Sequence, residues 1–110
     1  MALTVKNLGE GQLGTGTAGT LYTVGAGKAA IVKSIRVVNR DTSPRTFNLY
    51  FKLNGGSGSR LVSPSAISLT PGAAYVDDTE ITLAVSDQIQ GDGSVASKLD
   101  YVVSGIERDA

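Results

Sequence analysis

The chain contains no cysteine, no histidine and no tryptophan. Without cysteine there can be no disulfide and no thiolate zinc site, and the composition suits a reducing compartment. Without histidine the chain lacks the commonest general base and the commonest transition-metal ligand. Ser-His-Asp hydrolases and Cys-His proteases are excluded outright. A Ser-Lys or two-carboxylate enzyme is all that the composition leaves, so the expectation is a protein that is not an enzyme. Aromatics are scarce too: Phe47, Phe51 and four tyrosines. The core must therefore come from Val, Ile and Leu. No apolar run approaches the ~20 residues that cross a bilayer, and no basic segment followed by an apolar block opens the chain. This predicts a soluble protein with no export signal and no membrane partner.

Glycine, by contrast, is abundant, with 14 in 110 residues. The stretch GEGQLG, Gly9 to Gly14, has the G-x-G-x-x-G spacing of a dinucleotide-binding turn. That turn must be followed by a helix whose N-terminus receives the pyrophosphate. Here TGTAGTLYTVGAGK follows, rich in glycine and threonine, both weak helix formers. The acid expected about 20 residues on is missing from KAAIVKSIR. The dinucleotide reading fails, and no cofactor is expected.

Net charge is zero but unevenly placed. Residues 1–60 carry eight bases and two acids, a net +6; residues 61–110 carry two bases and eight acids, a net −6. Either strands from the two halves pair and neutralise one another, or the subunit is bipolar and packs against copies of itself or a partner. No basic cluster is interleaved with stacking aromatics, so a nucleic-acid partner is not expected.

The dominant hydrophobic period is two, the signature of strands. In RTFNLYFKL, Phe47, Leu49, Phe51 and Leu53 share one face. The loop Asn54 to Ser59 then turns the chain back into RLVS. AAIVKSIRVVN is apolar on both faces, with Ile31, Ile35 and Val37 on one and Val32 and Val38 on the other. It reads as a central strand or one covered by a second subunit. Pro71-Gly72 suits the centre of a type II turn. EITLAV places Ile81, Leu83 and Val85 inward, a short strand is expected around Ile89, and Leu99, Tyr101 and Val103 align in the last strand. Eight or nine short strands with Gly/Pro turns and no helix give an all-β fold, an antiparallel β-sandwich of jelly-roll-like or immunoglobulin-like type.

Residues 1–19 differ from the rest. They read as an extended N-terminal arm and Gly/Thr-rich linker tethered to a sandwich of residues 20–110, with a first strand of that sandwich as the alternative. An arm of this kind would place Leu3, Val5 and Leu8 against neighbouring subunits by strand addition. Elsewhere, Asp77, Asp78, Glu80, Asp87, Asp92 and Asp100 fit no EF-hand spacing, and no metal site is expected. Tyr22, Tyr50, Tyr75 and Tyr101 fit strand faces, although together they could form a sugar-stacking platform.

Residues 20–107 carry a resemblance. Tyr22-Thr23-Val24 leads into Ala26-Gly27-Lys28 and the long strand Ala30-Ile31-Val32, Ser34-Ile35, Val37 and Asn39, followed by Arg45 with Phe47. Leu83, Asp87 and Ile89 come later, then Leu99, Gly105 and Glu107 in the closing strand. This pattern resembles that of small β-sandwich virion structural proteins of tailed bacteriophages. The resemblance implies a virion protein without enzymatic activity, made in the host cytoplasm. Such modules serve as capsid decoration (cement) proteins, tail or neck accessories, or receptor-binding tips. The small single domain with its arm, lacking any fibre segment, favours a cement protein that bridges capsid subunits. Its expected partners are the major capsid protein and copies of itself, as a homotrimer, with no small-molecule substrate. The alternative is a tail accessory or carbohydrate-binding module.

Overall fold

The computed structural model describes residues 3–54, 60–78 and 80–109. Among the described residues ten strands form: β1 (Leu3–Gln12), β2 (Gly19–Thr23), β3 (Lys28–Asn39), β4 (Arg45–Lys52), β5 (Arg60–Leu61), β6 (Ile67–Leu69), β7 (Ala74–Asp77), β8 (Ile81–Leu83), β9 (Gln88–Gly93) and β10 (Leu99–Asp109). Among the described residues there is no helix. Every strand pair is antiparallel. Sheet I runs β1-β10-β3-β7 with β8 also on β3, and sheet II runs β2-β9-β4-β5 with β6 also on β4.

The pairing is nested. β4 pairs with β5 and β6, β3 with β7 and β8, β2 with β9, and β1 with β10. A long hairpin has been rolled so that its outermost strands meet, and the β10–β3 and β9–β4 contacts then close two sheets. Counting β5/β6 and β7/β8 each as one interrupted strand gives the eight strands of a jelly roll. Of the two sandwich types expected, this is the one present.

The core lies between the sheets and is aliphatic, as the lack of aromatics requires. Phe47, Leu49, Ile35, Val37, Leu83, Ile89, Leu99 and Val103 are each at most 1% exposed. Phe47 meets Tyr75 with ring centroids 5.4 Å apart. Phe51, expected alongside Phe47, is only half-buried at the core's margin. Leu53 and Val85, read as inward, are exposed because β4 ends at Lys52 and β8 at Leu83.

Two bulges change which residues face inward. On β3, Ser34 pairs with Ser104 while Val32 pairs with Gly105, so Lys33 is an extra residue. On β1, Leu8 is extra between Asn7 and Gly9. A bulge inverts the alternation beyond it. Ala30 and Val32 therefore share the inner face with Ile35 and Val37, and Ile31, read on the same face as Ile35 and Val37, lies on the outer face instead. Gly105 sits between the bulges, where a Cβ would lie 2.2 Å from the Ile31 carbonyl oxygen and 2.9 Å from Leu8 Cδ1. No side chain fits there.

The N-terminal segment is woven into the sandwich. β1 pairs with β10 from Leu3↔Arg108 to Gln12↔Asp100. Leu13 is 1% exposed within the core, and its N–H donates to the Leu99 carbonyl at 2.9 Å. Residues 3–12 thus form a paired strand of sheet I, the arrangement given above as the alternative to an extended arm. Gly9 is needed where β1 crosses β2, because a Cβ there would lie 2.4 Å from the Leu21 carbonyl oxygen. That contact accounts for a glycine the nucleotide-like spacing had singled out.

The turn at Pro71-Gly72 matches its sequence reading, and a second turn precedes β3. Gly72 has φ +79°, and the Ala73 N–H donates to the Thr70 carbonyl at 3.0 Å, a type II turn on Pro71-Gly72. Gly27 has φ +72°, with the Lys28 N–H on the Gly25 carbonyl at 3.2 Å. The loop read over Asn54 to Ser59 lies, from residue 55 on, outside the described residues.

Candidate functional site

The two sheets turn unlike faces outward. Sheet II presents mainly polar side chains. Thr20 bonds Gln88 at 3.3 Å, Asn48 bonds Asp92 at 3.1 Å, and the Tyr50 hydroxyl donates to Asp92 at 3.2 Å. Leu61, paired with Tyr50, is its one exposed large apolar side chain among the described residues.

Sheet I is different. The register of β1, β10, β3, β8 and β7 lays its outer face in rows. Leu3, Arg108 and Ala29 form the first row. Val5, Ile106, Ile31 and Thr82 form the next, then Asn7, Ser104 and Ser34. Glu10, Val102, Arg36 and Val76 follow, and Gln12, Asp100, Val38 and Ala74 end the face. Val5 is 85% exposed, Leu3 67%, Val76 51% and Val102 37%. Shallow hollows flank Ile106 on both sides, one reaching Leu3 and Ala29, the other reaching Val5 and Lys33. Leu3, Val5, Ile31 and Ile106 thus form an apolar patch over two adjacent rows, and Val102 and Val76 stand beyond the polar row, alternating with Glu10 and Arg36.

Of the arm residues read from the sequence, Leu3 and Val5 are on this outer face. Leu8, the bulge residue, is partly buried and packs against its own core. Ile31, Ile106, Val102 and Val76 belong to the face and were missed. The signal lay in the apolar residues on both sides of the β3 stretch, but the β3 bulge hid which of them point outward.

Four bases of the first half meet acids of the second inside the subunit. Lys6 meets Glu107 at 3.3 Å, Lys28 meets Asp109 at 2.6 Å, Arg40 meets Asp100 at 3.8 Å, and Lys33 meets Glu80. Each joins a base of the first half to an acid of the second, which is the first of the two charge readings. The fifth pair, Arg45 with Asp41 at 2.6 Å, clips the turn before β4. The Thr42 N–H and then the Arg45 guanidinium hold the Asp41 carboxyl below its usual range.

Glu107 also ties the sheets together. It accepts the Tyr22 hydroxyl from sheet II at 2.7 Å as well as Lys6 from β1. The Tyr22 bond, with Lys6 adding to it, lowers the Glu107 pKa; burial first and that bond second raise that of Tyr22. The remaining tyrosines do not gather. Tyr101 is buried, Tyr75 packs inward on Phe47, and Tyr50 lies on the outer face of sheet II, so no common sugar-stacking platform forms.

Two buried polar groups are structural. Asn39, fully buried, donates to the Ser43 and Leu69 carbonyls at 3.0 and 2.9 Å and accepts the Asp41 N–H at 2.8 Å. Asp87, 5% exposed, accepts the backbone N–H groups of Asn54 and Ala84, both at 2.9 Å. These are two residues of the virion-protein pattern, and each fixes a corner of the sandwich. Among the described residues no three acids come together as a metal site.

No family pattern and no curated protein sequence matches the chain. Its fold is similar to that of solved structures of infectious bursal disease virus. A chain of the T13 viral particle of that virus aligns with TM-score 0.61 at 10% identity, and one from its Gx strain with TM-score 0.50 at 14%. In each case 96% of this chain is covered. It spans only 30% and 32% of the respective viral chains. The likeness is one of fold: the rolled sandwich described above also occurs as part of a larger protein in a virus particle.

Proposed function

We propose that this chain is a non-enzymatic structural protein of a virus particle, and within that class a capsid decoration (cement) protein of a tailed bacteriophage. The observation that carries the reading is the outer face of sheet I, where Leu3, Val5, Ile31 and Ile106 form an apolar patch over β1, β10 and β3. A surface of that kind suits protein–protein contact better than the binding of a small molecule. The jelly-roll topology adds support, since the fold recurs in capsid and lectin domains, as does the likeness to chains of a virus particle. The resemblance to phage virion proteins selects the tailed-phage class. A lectin-like role at the tail would call for converging exposed aromatics, and the dispersed tyrosines do not favour it.

In this reading the protein resides in the virion and bridges capsid subunits, with the major capsid protein and copies of itself as partners. The homotrimer expected from sequence drew partly on segregated charge. Four of those bases meet acids within the subunit, so the assembly proposed is a homo-oligomer joined through sheet I. The test uses particles stripped of the protein. Adding back the wild-type chain should restore their resistance to heat, and a Val5→Glu variant, folded but charged on the outer face, should restore less. Equal restoration by the variant, or none by the wild type, contradicts the proposal.

A further inference from the structure

β1 presents a bare edge, and we infer that this edge is the receiving half of a strand-addition site, taken by an extended segment of another protein. The inference rests on the reading of sheet I as a contact surface and names the kind of partner that completes it.

Among the described residues, no strand pairs with β1 on the side away from β10. The other edges of the sandwich are blunted. β7 and β8 have four and three residues, and β5 and β6 have two and three. β2 has five and is crossed by β1 at Gly9. Short or covered edges are the usual protection against pairing with a foreign chain. β1 has ten residues, and the first five, Leu3 to Asn7, are exposed on both faces of the sheet. The open stretch ends only at the Leu8 bulge and the Gly9 crossing. Its lysine, a residue type that guards many edges, is drawn back onto Glu107 at 3.3 Å.

The chemistry of the edge selects the occupant. Every second residue of an antiparallel edge strand aims its N–H and C=O away from the sheet, and another extended backbone matches that row in spacing and polarity. The five open residues offer a ladder about 17 Å long. Side chains add a preference. The row of Ile31, Ile106 and Val5 runs to the edge and stops there, with Val5 85% exposed, and Leu3 stands on the same face one row away. A segment with aliphatic residues at two alternate positions would sit beside Val5 and Leu3 and prolong the apolar patch. Polar residues between them would lie beside Thr4 and Lys6. A second copy of β1 fits less well. Paired antiparallel about Val5, it sets Leu3 against Asn7 of the partner subunit. Paired about Thr4, it matches Leu3 with Val5 of the partner subunit but uses only residues 3–5 of the described edge. In a virus particle the added segment would belong to the shell protein being bridged.

The probe is a synthetic peptide of alternating valine and threonine with a lysine at each end. Its control is the same peptide N-methylated at every valine and threonine, which keeps the side chains and loses the backbone donors. Amide hydrogen exchange of the intact chain reads the edge residue by residue. Saturating peptide should slow the outward-pointing amides among residues 3–7 at least ~10-fold, and the methylated peptide should leave them unchanged. Val5→Lys, with an unchanged melting temperature, should weaken peptide binding about 5-fold. No protection at millimolar peptide overturns the inference. So does equal protection by the methylated peptide, or protection centred on β7 rather than β1. Protection of residues 3–7 that appears without peptide and grows with protein concentration also overturns it, since a second copy would then hold the edge. No particle takes part, so failure of the virion assignment leaves a positive result standing, and failure here leaves that assignment to its own test.

Discussion

Asn39 illustrates how much one side chain can fix. Its amide satisfies two carbonyls and one N–H where the chain leaves β3 for the turn before β4, in a site closed to water. Truncation to Ala strands all three groups, and each buried group left unsatisfied costs about 1–3 kcal/mol. Asn39→Ala is expected to lose about 2–4 kcal/mol in denaturant unfolding, far more than truncation of an exposed asparagine. Phe47→Ala should cost about 3–5 kcal/mol, because the ring is fully enclosed. Phe51→Ala should cost about half as much, since that ring lies at the core's margin. Glu107 adds a pH dependence. The Tyr22 hydroxyl and Lys6 hold its pKa below the ordinary 4.5. A lowered carboxylate pKa stabilises the fold above the unfolded value, and that stabilisation is lost as pH falls through the folded value. Glu107→Gln should therefore be less stable than wild type at pH 7, with the gap narrowing toward pH 3. A gap that stays constant across that range would show that the ion contributes nothing.

At the scale of elements, legibility depended on whether glycine ended a strand or lay inside one. The strong alternation of β4 and the type II turn at Pro71-Gly72 could be read directly, because side-chain period and turn chemistry are local properties. β9 could not be read fully. Its Gly91 and Gly93 resemble turn residues, yet each sits under a neighbour: a Cβ on Gly93 would lie 2.7 Å from Leu99 Cδ1, and one on Gly91 3.1 Å from Leu13 Cδ2. The same holds for β1, whose glycines allow it to cross β2 and pass beneath Tyr101. Close approach between distant strands is a tertiary fact, so the local sequence showed only flexibility. The phase of Ile31 was hidden for a related reason, since a bulge is set by both strands of a pair. Placing β1 in the sheet has a measurable consequence. Deleting residues 1–12 removes the whole β1–β10 ladder, the Gln12–Asp100 bond and the Lys6–Glu107 pair. The truncated chain should melt at least ~10 °C lower than the full chain, as a loss of about 2 kcal/mol implies for a domain of this size. An unchanged melt would show that the segment is a loose arm after all.

For the whole molecule, the nested pairing brings the first and last strands side by side and leaves the exposed aliphatic rows on one sheet. What was visible from sequence was the class: no helix, no histidine chemistry, a β-sandwich built on aliphatics. What was not visible was the face, because it is assembled from β1, β3, β7, β8 and β10, which only the rolled topology makes neighbours. In the function proposed above, this face serves a structural role in a virus particle, at the abundance of a shell component. Quantitative mass spectrometry of purified intact particles tests it most directly. A decoration protein should be present in hundreds of copies, in fixed proportion to the major capsid protein. A handful of copies per particle, or none, would contradict the account.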